Sequence, residues 1–247
     1  MNPAALSEEK IVEIGRECRR YFHAHPEIST QEAETSAKIF SLLEEWGLSP
    51  VRGTGHYGVA ATLKGKSEGP LIALRADMDA LSVREETGLP FASQNEGVMH
   101  ACGHDVHMAI LLETVLRLLQ RRDDLFGSVR ILFQPSEELS PTGGARLMMK
   151  DGFLDGVSGV FGLHVWPSYP VGRIGIKGGP LMAASDRFRV TIKGRTAHAG
   201  HPHEGVDAIL AAADFLQEVS HIVSRRVSPL IQQPSMWEPF PAGAVTM

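Results

Sequence analysis

The sequence predicts an α/β fold with a mostly parallel central sheet that is flanked by helices. Two short apolar runs, at residues 71–74 and 129–133, are typical of strands that a parallel sheet buries on both faces, and a third apolar run at residues 157–163 also predicts a strand. Helical apolar spacing over residues 106–121 lies between the first two runs and predicts a helix there. Acidic or imidazole side chains follow each run, and open α/β sheets bind their ligands at the carboxyl ends of parallel strands.

The segment before these runs predicts two helices and one further strand. Residues 8–21 carry apolar side chains at helical spacing, and Ser7 is suited to cap this helix. Cys18 lies on the apolar stripe and is interpreted as a small core residue. A second helix is expected over residues 31–46, because a glycine that is typical of helix ends follows it. Residues 57–64 are expected to form a strand.

Composition and charge exclude several classes of protein. Of the 247 residues, 43% are hydrophobic and 21% are charged, as in ordinary globular proteins with a sizeable core. The formal net charge of −5 argues against a nucleic-acid partner and an anionic membrane surface. No apolar run has the length of a membrane span, and the N-terminus lacks the pattern of a signal peptide. Two cysteines make no disulfide framework, so a cytoplasmic location is expected.

The densest chemical signal is the segment MHACGHDVHM at residues 99–108, which holds a thiol, three imidazoles and a carboxylate. A thiolate and neutral imidazoles suit Zn²⁺ and neighbouring transition metals. Cys102 and His104 lie two positions apart, so both can face one side of a turn that Gly103 permits. The alternative is a buried cysteine beside helix-capping polar residues, and the matching groups downstream argue against it.

Acidic and imidazole side chains end the three apolar runs. Asp77 and Asp79 follow the first run and, two positions apart, are expected to share a face; a solvated turn is the alternative. Glu137 and Glu138 follow the second run and are expected to point in different directions, so that one binds a metal while the other acts as a base. Adjacent glutamates are also common on exposed helices. His164 follows the third run.

The pattern changes in the last third of the chain. Residues 186–192 alternate in the manner of a half-exposed strand, a polar loop follows at 194–205, and residues 206–224 have helical spacing. A second domain is therefore expected to begin near Ala184.

The chain resembles one enzyme family across nearly all of residues 10–230, through the motifs RADMDAL, MHACGHDVHMA, QPSEE, GLHVWP and GRTAHAGHPHEGVDAI. It is the family of hippurate hydrolases and of N-acyl-amino-acid and indoleacetyl-amino-acid amidohydrolases, within the aminoacylase–carboxypeptidase superfamily of metallopeptidases. The resemblance implies a zinc-exopeptidase-like catalytic domain over residues 1–184, with an inserted α+β lid and dimerisation domain. Residues 185–230 would begin the lid, and residues 231–247 would form an aberrant tail.

The resemblance also implies roles for individual residues. Four side chains match the ligands of a site for two divalent metal ions (Zn, Mn, Co or Ni), namely Cys102, His104, Glu138 and His164. Glu137 matches the general base, and Asp79 matches an orienting carboxylate behind the site. His198 matches a lid histidine that reaches the active site of the partner subunit and helps to bind the substrate.

The function that the resemblance implies is metal-dependent hydrolysis of N-acyl amino acids, such as hippurate, to a carboxylic acid and a free amino acid. The full-length protein is expected to form a homodimer through the lid, without nucleic-acid or membrane partners. A related metallo-carboxypeptidase or deacetylase is the nearest alternative. A purely structural zinc module is disfavoured, because such sites use closed Cys and His sets rather than a pair of glutamates.

The tail departs from the family pattern. Residues 231–240 have neither alternation nor helical period where a lid strand is due, and family members continue further, to another histidine ligand. Codons permitted for residues 231–247, with one G restored before them, read DPAAVHVGTVSGGRGHN, which is similar to the family's continuation. A one-base frameshift is therefore expected, and the resulting chain would be a poor enzyme or an inactive remnant of one.

Overall fold

The structure is a computed structural model that describes residues 2–139, 143–179, 181–182 and 188–226. The chain divides into two compact units, one ending at Ile174 and the other beginning at Gly175. The tail for which a frameshift is expected, residues 231–247, lies outside the described residues. The predicted domain boundary near Ala184 also lies outside them and stays a prediction.

The first unit contains four α-helices and five β-strands among its described residues. The helices are α1 (Glu8–Ala24), α2 (Ala33–Glu45), α3 (His104–Gln120) and α4 (Gly144–Lys150). The strands are β1 (Val51–Arg52), β2 (Val59–Lys64), β3 (Ser67–Asp77), β4 (Phe126–Gln134) and β5 (Val157–Gly162).

The five strands form one mixed sheet in the order β1-β2-β4-β3-β5. Strands β4, β3 and β5 are parallel, whereas β1 pairs antiparallel with β2, and β2 with β4. Only two residues connect β2 to β3, too few for the crossover that parallel strands require, so β2 runs in the opposite direction. The α/β class is thereby confirmed. The carboxyl ends of β3, β4 and β5 meet at one edge, where Asp77 is aligned with Gln134.

Helices pack on both faces of the sheet. Alternate strand residues face opposite sides, so one strand contributes to two cores. Val59, Ala61 and Leu63 of β2 lie in the larger core, to which α1, α2 and α3 contribute. Ala60, which alternates with them, lies in a smaller core together with Met148 of α4. Strands β3 and β4, which lead to the polar edge, also place residues in both cores, whereas Val160 and Phe161 of the edge strand β5 are 52% and 59% exposed.

The N-terminal helices follow their sequence signals. The Ser7 side chain caps α1 by accepting a backbone N–H of the first turn at 3.2 Å. Cys18 lies in the core, as predicted, and burial raises the pKa of its thiol to about 11. Helix α2 begins two residues later than expected, and the Glu27 carboxylate accepts the backbone N–H groups of Glu34 and Thr35 at 3.1 and 2.7 Å. Glu27 therefore acts as the cap of α2.

The described part of the second unit consists mainly of a closed loop and a long helix. Arg195 and Val206 exchange backbone hydrogen bonds of 3.0 and 2.9 Å, which close the loop. Helix α5 (Ala208–Arg226) follows and agrees with the helix predicted at residues 206–224. None of the described helices, α5 included, is long and apolar enough to cross a membrane.

The prediction of a strand at residues 186–192 is wrong for those of its residues that the structure describes. Residues 188–192 form no strand, and residues 186–187 lie outside the described part of the chain. A half-exposed strand needs neighbouring strands to complete its backbone hydrogen bonds and its apolar face. The described residues of this unit offer no such neighbour, so alternation alone does not produce a strand here.

Leu112→Ala in α3 is expected to lower the free energy of unfolding by about 2–5 kcal/mol, because Leu112 is fully buried and its truncation leaves a cavity. Leu147→Ala in α4 is the matched control, since Leu147 is 40% exposed. The control is expected to cost less than about 1 kcal/mol. Urea denaturation followed by circular dichroism measures both, and equal losses would contradict this assignment of the core.

Candidate metal centre

The side chains predicted to form a site meet at the carboxyl edge of the parallel strands. The structure brings together six of the seven predicted site residues, which are Asp79, Cys102, His104, Glu137, Glu138 and His164. Strands β3, β4 and β5 each lead into one part of this set, and the amino end of α3 supplies the rest. The seventh residue, His198, belongs to the second unit.

A left-handed turn at Gly103 sets the entry to α3. Gly103 has a φ of +85°, and a Cβ atom on it would lie 2.6 Å from Cγ2 of Val165. Both the backbone conformation and the close contact therefore require glycine. The turn leaves Cys102 half-buried and makes His104, which is fully buried, the first residue of the helix.

His104 lies at the centre of the site, and one of its ring nitrogens is already engaged in a hydrogen bond. Its Nδ1 donates to the backbone carbonyl of Asp79 at 2.8 Å, which in the neutral ring leaves the lone pair on Nε2. Nε2 is buried without a hydrogen-bond partner. Carboxylate oxygens of Asp77, Glu138 and Glu137 lie 3.5, 3.7 and 4.0 Å from this atom. The unpartnered nitrogen is thus surrounded by acidic groups.

His164 presents a second imidazole nitrogen in the same way. Its Nδ1 donates to the backbone carbonyl of Val165 at 2.6 Å, so the lone pair is on Nε2. This Nε2 lies 3.4 Å from Sγ of Cys102. Sulfur and nitrogen donors are the set that Zn²⁺ and related metals prefer.

Two groups of candidate ligand atoms share His104. Cys102, His104 and His164 form the first group. His104, Glu137 and Glu138 form the second, and within each group the ligand atoms lie within 4.8 Å of one another. The two groups mark two candidate cation positions side by side, as a two-metal centre requires, and His104, which has one free ring nitrogen, can ligate the cation at one of them.

In a third group, made by Asp77, His104 and His107, the side chains of Asp77 and His107 are committed to hydrogen bonds instead. His107 donates from Nδ1 to Asp77 at 2.7 Å and accepts at Nε2 from the Val165 N–H at 2.9 Å, so neither ring nitrogen is available. Asp77 also accepts from Arg75 at 2.7 Å. Sequence reasoning assigned no role to His107, although its spacing of three from His104 places both on one helix face. His107 braces the segment that follows β5.

Asp79 joins three segments of the chain. Its Oδ2 accepts from Ser29 Oγ at 2.7 Å and from the Glu138 N–H at 3.0 Å, while its carbonyl orients His104. Burial disfavours the charged carboxylate, but the hydrogen bonds outweigh burial and lower the pKa of Asp79. Asp79 therefore stays ionised. Its contacts are those expected of an orienting carboxylate, and that role stays a prediction.

The charges around His104 fit a bound cation. Burial alone would lower the pKa of His104, but the neighbouring acidic and thiol groups, Asp79 first, raise it to about 11. Burial raises the pKa of Glu138. Two buried atoms, His104 Nε2 and Glu138 Oε1, lie 3.7 Å apart without a hydrogen-bond partner. A divalent metal ion would satisfy both atoms and replace the proton that the acidic surroundings otherwise attract.

The two adjacent glutamates point the same way, not in different directions as the sequence led us to expect. Ser136 has a φ of +53° and the chain bends over residues 137–139, so both carboxylates approach His104. A left-handed backbone at a residue other than glycine costs about 1–2 kcal/mol. The side chain of Glu137 is 42% exposed and that of Glu138 is 25% exposed. Glu138 therefore lies deeper, and Glu137 is closer to solvent.

His198 lies on the exposed loop of the second unit. The Gly200 N–H donates to His198 Nδ1 at 3.0 Å, so in the neutral ring the proton is on Nε2. His201, His203 and Glu204 form an exposed group on the same loop, with ligand atoms within 4.8 Å of one another. His198 thus offers an N–H donor at the surface of its unit.

Comparison with known proteins identifies relatives of this chain. A model of peptidase family M20/M25/M40 matches residues 73–236. The N-acetyl-L-cysteine deacetylase of Bacillus subtilis strain 168 is 49% identical over 232 residues, which cover 93% of this chain and 54% of the relative. The N-acyl-L-amino acid amidohydrolase of Geobacillus stearothermophilus is 47% identical over 212 residues, which cover 86% of this chain and 57% of the relative. The chain spans about half the length of the curated relatives it matches.

A solved structure shares the fold. It is a dinuclear metal-binding peptidase of the M20 family from Bacillus subtilis, and it aligns with a TM-score of 0.67 and 47% sequence identity. The alignment covers 70% of this chain and 49% of the other. These matches confirm the family resemblance inferred from the sequence motifs. Because the family match extends over more than half of the residues, the chain belongs to peptidase family M20/M25/M40.

Proposed function

We propose that the protein is a metal-dependent amidohydrolase that cleaves the amide bond of N-acyl amino acids. The observation that carries this proposal is the pair of ligand groups that share His104. Relatives named as an N-acetyl-L-cysteine deacetylase and an N-acyl-L-amino acid amidohydrolase support this class of substrate. Hippurate-like substrates are the finer proposal, which rests on the sequence motifs.

The metal centre is proposed to hold two divalent ions. The ligands would be Cys102, His104, Glu138 and His164. Such ions, when bound, polarise an amide carbonyl and lower the pKa of a water molecule. The solved relative described as a dinuclear metal-binding peptidase supports the number of ions. The mixture of thiol, imidazole and carboxylate donors suits Zn, Mn, Co or Ni.

Glu137 is proposed as the general base. Its carboxylate is the more exposed of the pair and lies 4.0 Å from His104 Nε2, so it can reach a water molecule beside the ligand groups. It would take a proton from the attacking water and deliver it to the nitrogen of the leaving amine. Glu138 lies deeper and its backbone N–H is held by Asp79, which suits a ligand whose position must not change.

His198 is proposed to donate a hydrogen bond from Nε2 to the carbonyl oxygen that becomes negative during attack. Its Nδ1 already accepts from Gly200, which leaves Nε2–H for this role. The surrounding motif matches a lid histidine that acts in the partner's active site, so a homodimer is part of the proposal. The free cysteines Cys18 and Cys102 support a reducing, cytoplasmic location.

Release of free amino acid tests the proposed function. Purified protein with the reading frame restored before residue 231 is loaded with Zn²⁺ or Mn²⁺ and incubated with N-acetylcysteine, hippurate and an unmodified dipeptide. We expect free amino acid from the two acylated substrates, and we expect a chelator to stop the release until metal is returned. Cleavage of the dipeptide alone would assign a peptidase, and metal-loaded protein that cleaves no substrate would contradict the proposal.

The adjacent glutamates provide a matched pair of variants. In the frame-restored protein, Glu137→Gln is expected to keep the metal-to-protein ratio of the parent and to lose turnover by about 10²-fold or more, because the amide cannot accept the proton. Glu138→Gln is expected to lower the metal-to-protein ratio, because a neutral amide replaces a charged ligand. The metal-to-protein ratio and the kcat of both variants distinguish a general base from a metal ligand. If both variants lost only metal, the assignment of Glu137 as the base would be wrong.

Gly103→Ala is expected to weaken metal binding by about tenfold or more, because it strains the turn between two ligands and pushes against Val165. Gly97→Ala is the control, since Gly97 has a φ of +76° but open space around its Cβ position. Both variants are expected to lose about 1–2 kcal/mol of stability from the left-handed backbone. Zn²⁺ titration separates them, and equal affinities for Zn²⁺ would count against the turn as part of the site.

A further inference from the structure

Two residues other than glycine have a positive φ in the described part of the chain, and they contact each other. Thr30 has a φ of +68° and Ser136 a φ of +53°. The Thr30 N–H donates to Ser136 Oγ at 2.9 Å. A left-handed backbone at such residues persists only where the surrounding contacts hold it. Because Ser136 directly precedes Glu137, this strained turn adjoins the candidate metal centre.

The side chain that holds the turn is Glu32. Glu32 is fully buried, and its Oε1 accepts the Ser136 N–H at 2.6 Å and the Ser136 hydroxyl at 3.0 Å. The hydroxyl of Ser136 thus donates to Glu32 while it accepts from Thr30. We refer to Thr30, Glu32 and Ser136 as the Ser136 clamp. The clamp joins the segment before α2 to the segment after β4.

In the clamp, the side chain of Glu32 does not act as the cap of helix α2. Glu32 occupies the N-cap position of α2 but makes no capping hydrogen bond with its side chain. The cap is supplied by Glu27, whose carboxylate binds two backbone N–H groups of the helix. A carboxylate leaves water at a high cost unless strong hydrogen bonds replace its hydration. Both side-chain bonds of Glu32 use Oε1 and go to Ser136, while Oε2 is buried without a hydrogen-bond partner, so the burial of Glu32 serves the turn rather than the helix.

We propose that Glu32 is a positioning residue for the two glutamates of the site. By holding the Ser136 turn, it directs both carboxylates toward His104 Nε2. On an extended chain, the side chains of adjacent residues point to opposite faces, and only one carboxylate could approach that atom. Glu32 acts through Ser136 and touches neither substrate nor metal. The inference rests on the proposed function of this site.

Three variants test the clamp. Glu32→Ala removes both bonds to Ser136, whereas Glu32→Gln keeps an acceptor oxygen of the same reach. Glu27→Ala is the control, because it removes two hydrogen bonds from the same segment without touching Ser136. The two readouts are hydrogen exchange of the peptide that contains Ser136 and the Kd for Zn²⁺ from chelator competition.

Glu32→Ala is expected to speed exchange at Ser136 and to weaken Zn²⁺ binding by about tenfold or more, as the loss of a supporting hydrogen bond does at metal sites. Glu32→Gln is expected to bind Zn²⁺ within about threefold of the parent, because its amide oxygen can accept the same two bonds. Glu27→Ala is expected to lower the thermal midpoint while the Kd for Zn²⁺ stays the same. If Glu32→Ala fails to fold, Ser136→Ala removes only the hydroxyl bonds and is expected to weaken Zn²⁺ binding less.

Two results would overturn the proposal. The first is a Glu32→Ala protein with the Zn²⁺ affinity and the exchange rate of the parent. The second is a Glu27→Ala protein that loses as much Zn²⁺ affinity as Glu32→Ala, since this would mean general loosening of the segment. A frame-restored parent protein that binds Zn²⁺ but hydrolyses no N-acyl amino acid would overturn the proposed function alone. The exchange rate and the Kd report on the clamp without catalysis.

Discussion

The site depends on the hydrogen bond from His104 Nδ1 to the backbone carbonyl of Asp79. At 2.8 Å, this bond places the lone pair of the ring on Nε2 and directs that atom toward both groups of candidate ligands. It also ties the first turn of α3 to the segment that follows β3. A carbonyl does not titrate, so the constraint persists whatever the charge of the nearby carboxylates. The geometry of both ligand groups therefore depends on this one backbone contact.

Two buried atoms of the candidate metal centre lack a hydrogen-bond partner, unlike a buried carboxylate close to it. Beside the centre, the buried carboxylate of Asp105 contacts both Arg19 and His23, at 2.9 and 2.8 Å. In contrast, His104 Nε2 and Glu138 Oε1 are buried without a hydrogen-bond partner. Buried polar atoms in native proteins are normally satisfied, and exceptions are typical of places where a ligand completes the site. The donor types, together with these two unpartnered atoms, suit a cation at His104.

Much of the fold could be predicted from the sequence, because the signals are local. Ser7 caps α1 as its side-chain chemistry requires, and Cys18 lies in the core because it falls on the apolar stripe of that helix. Each strand of the parallel part was visible as an apolar run with polar residues at its end. Alternation at residues 188–192 was misleading, because a half-exposed strand depends on neighbours that its own sequence cannot supply.

The sequence by itself determined the fold class, the family, and which side chains stand at the carboxyl ends of the strands, because periodicity and residue chemistry belong to short segments. Only the tertiary structure decided which of those side chains face one another. It commits His107 to hydrogen bonds, and it turns Glu137 and Glu138 to the same side. The second outcome depends on the φ of Ser136 and on a contact with Glu32, 104 positions away in the chain. Such a contact forms only when distant segments pack together, and no local pattern records it.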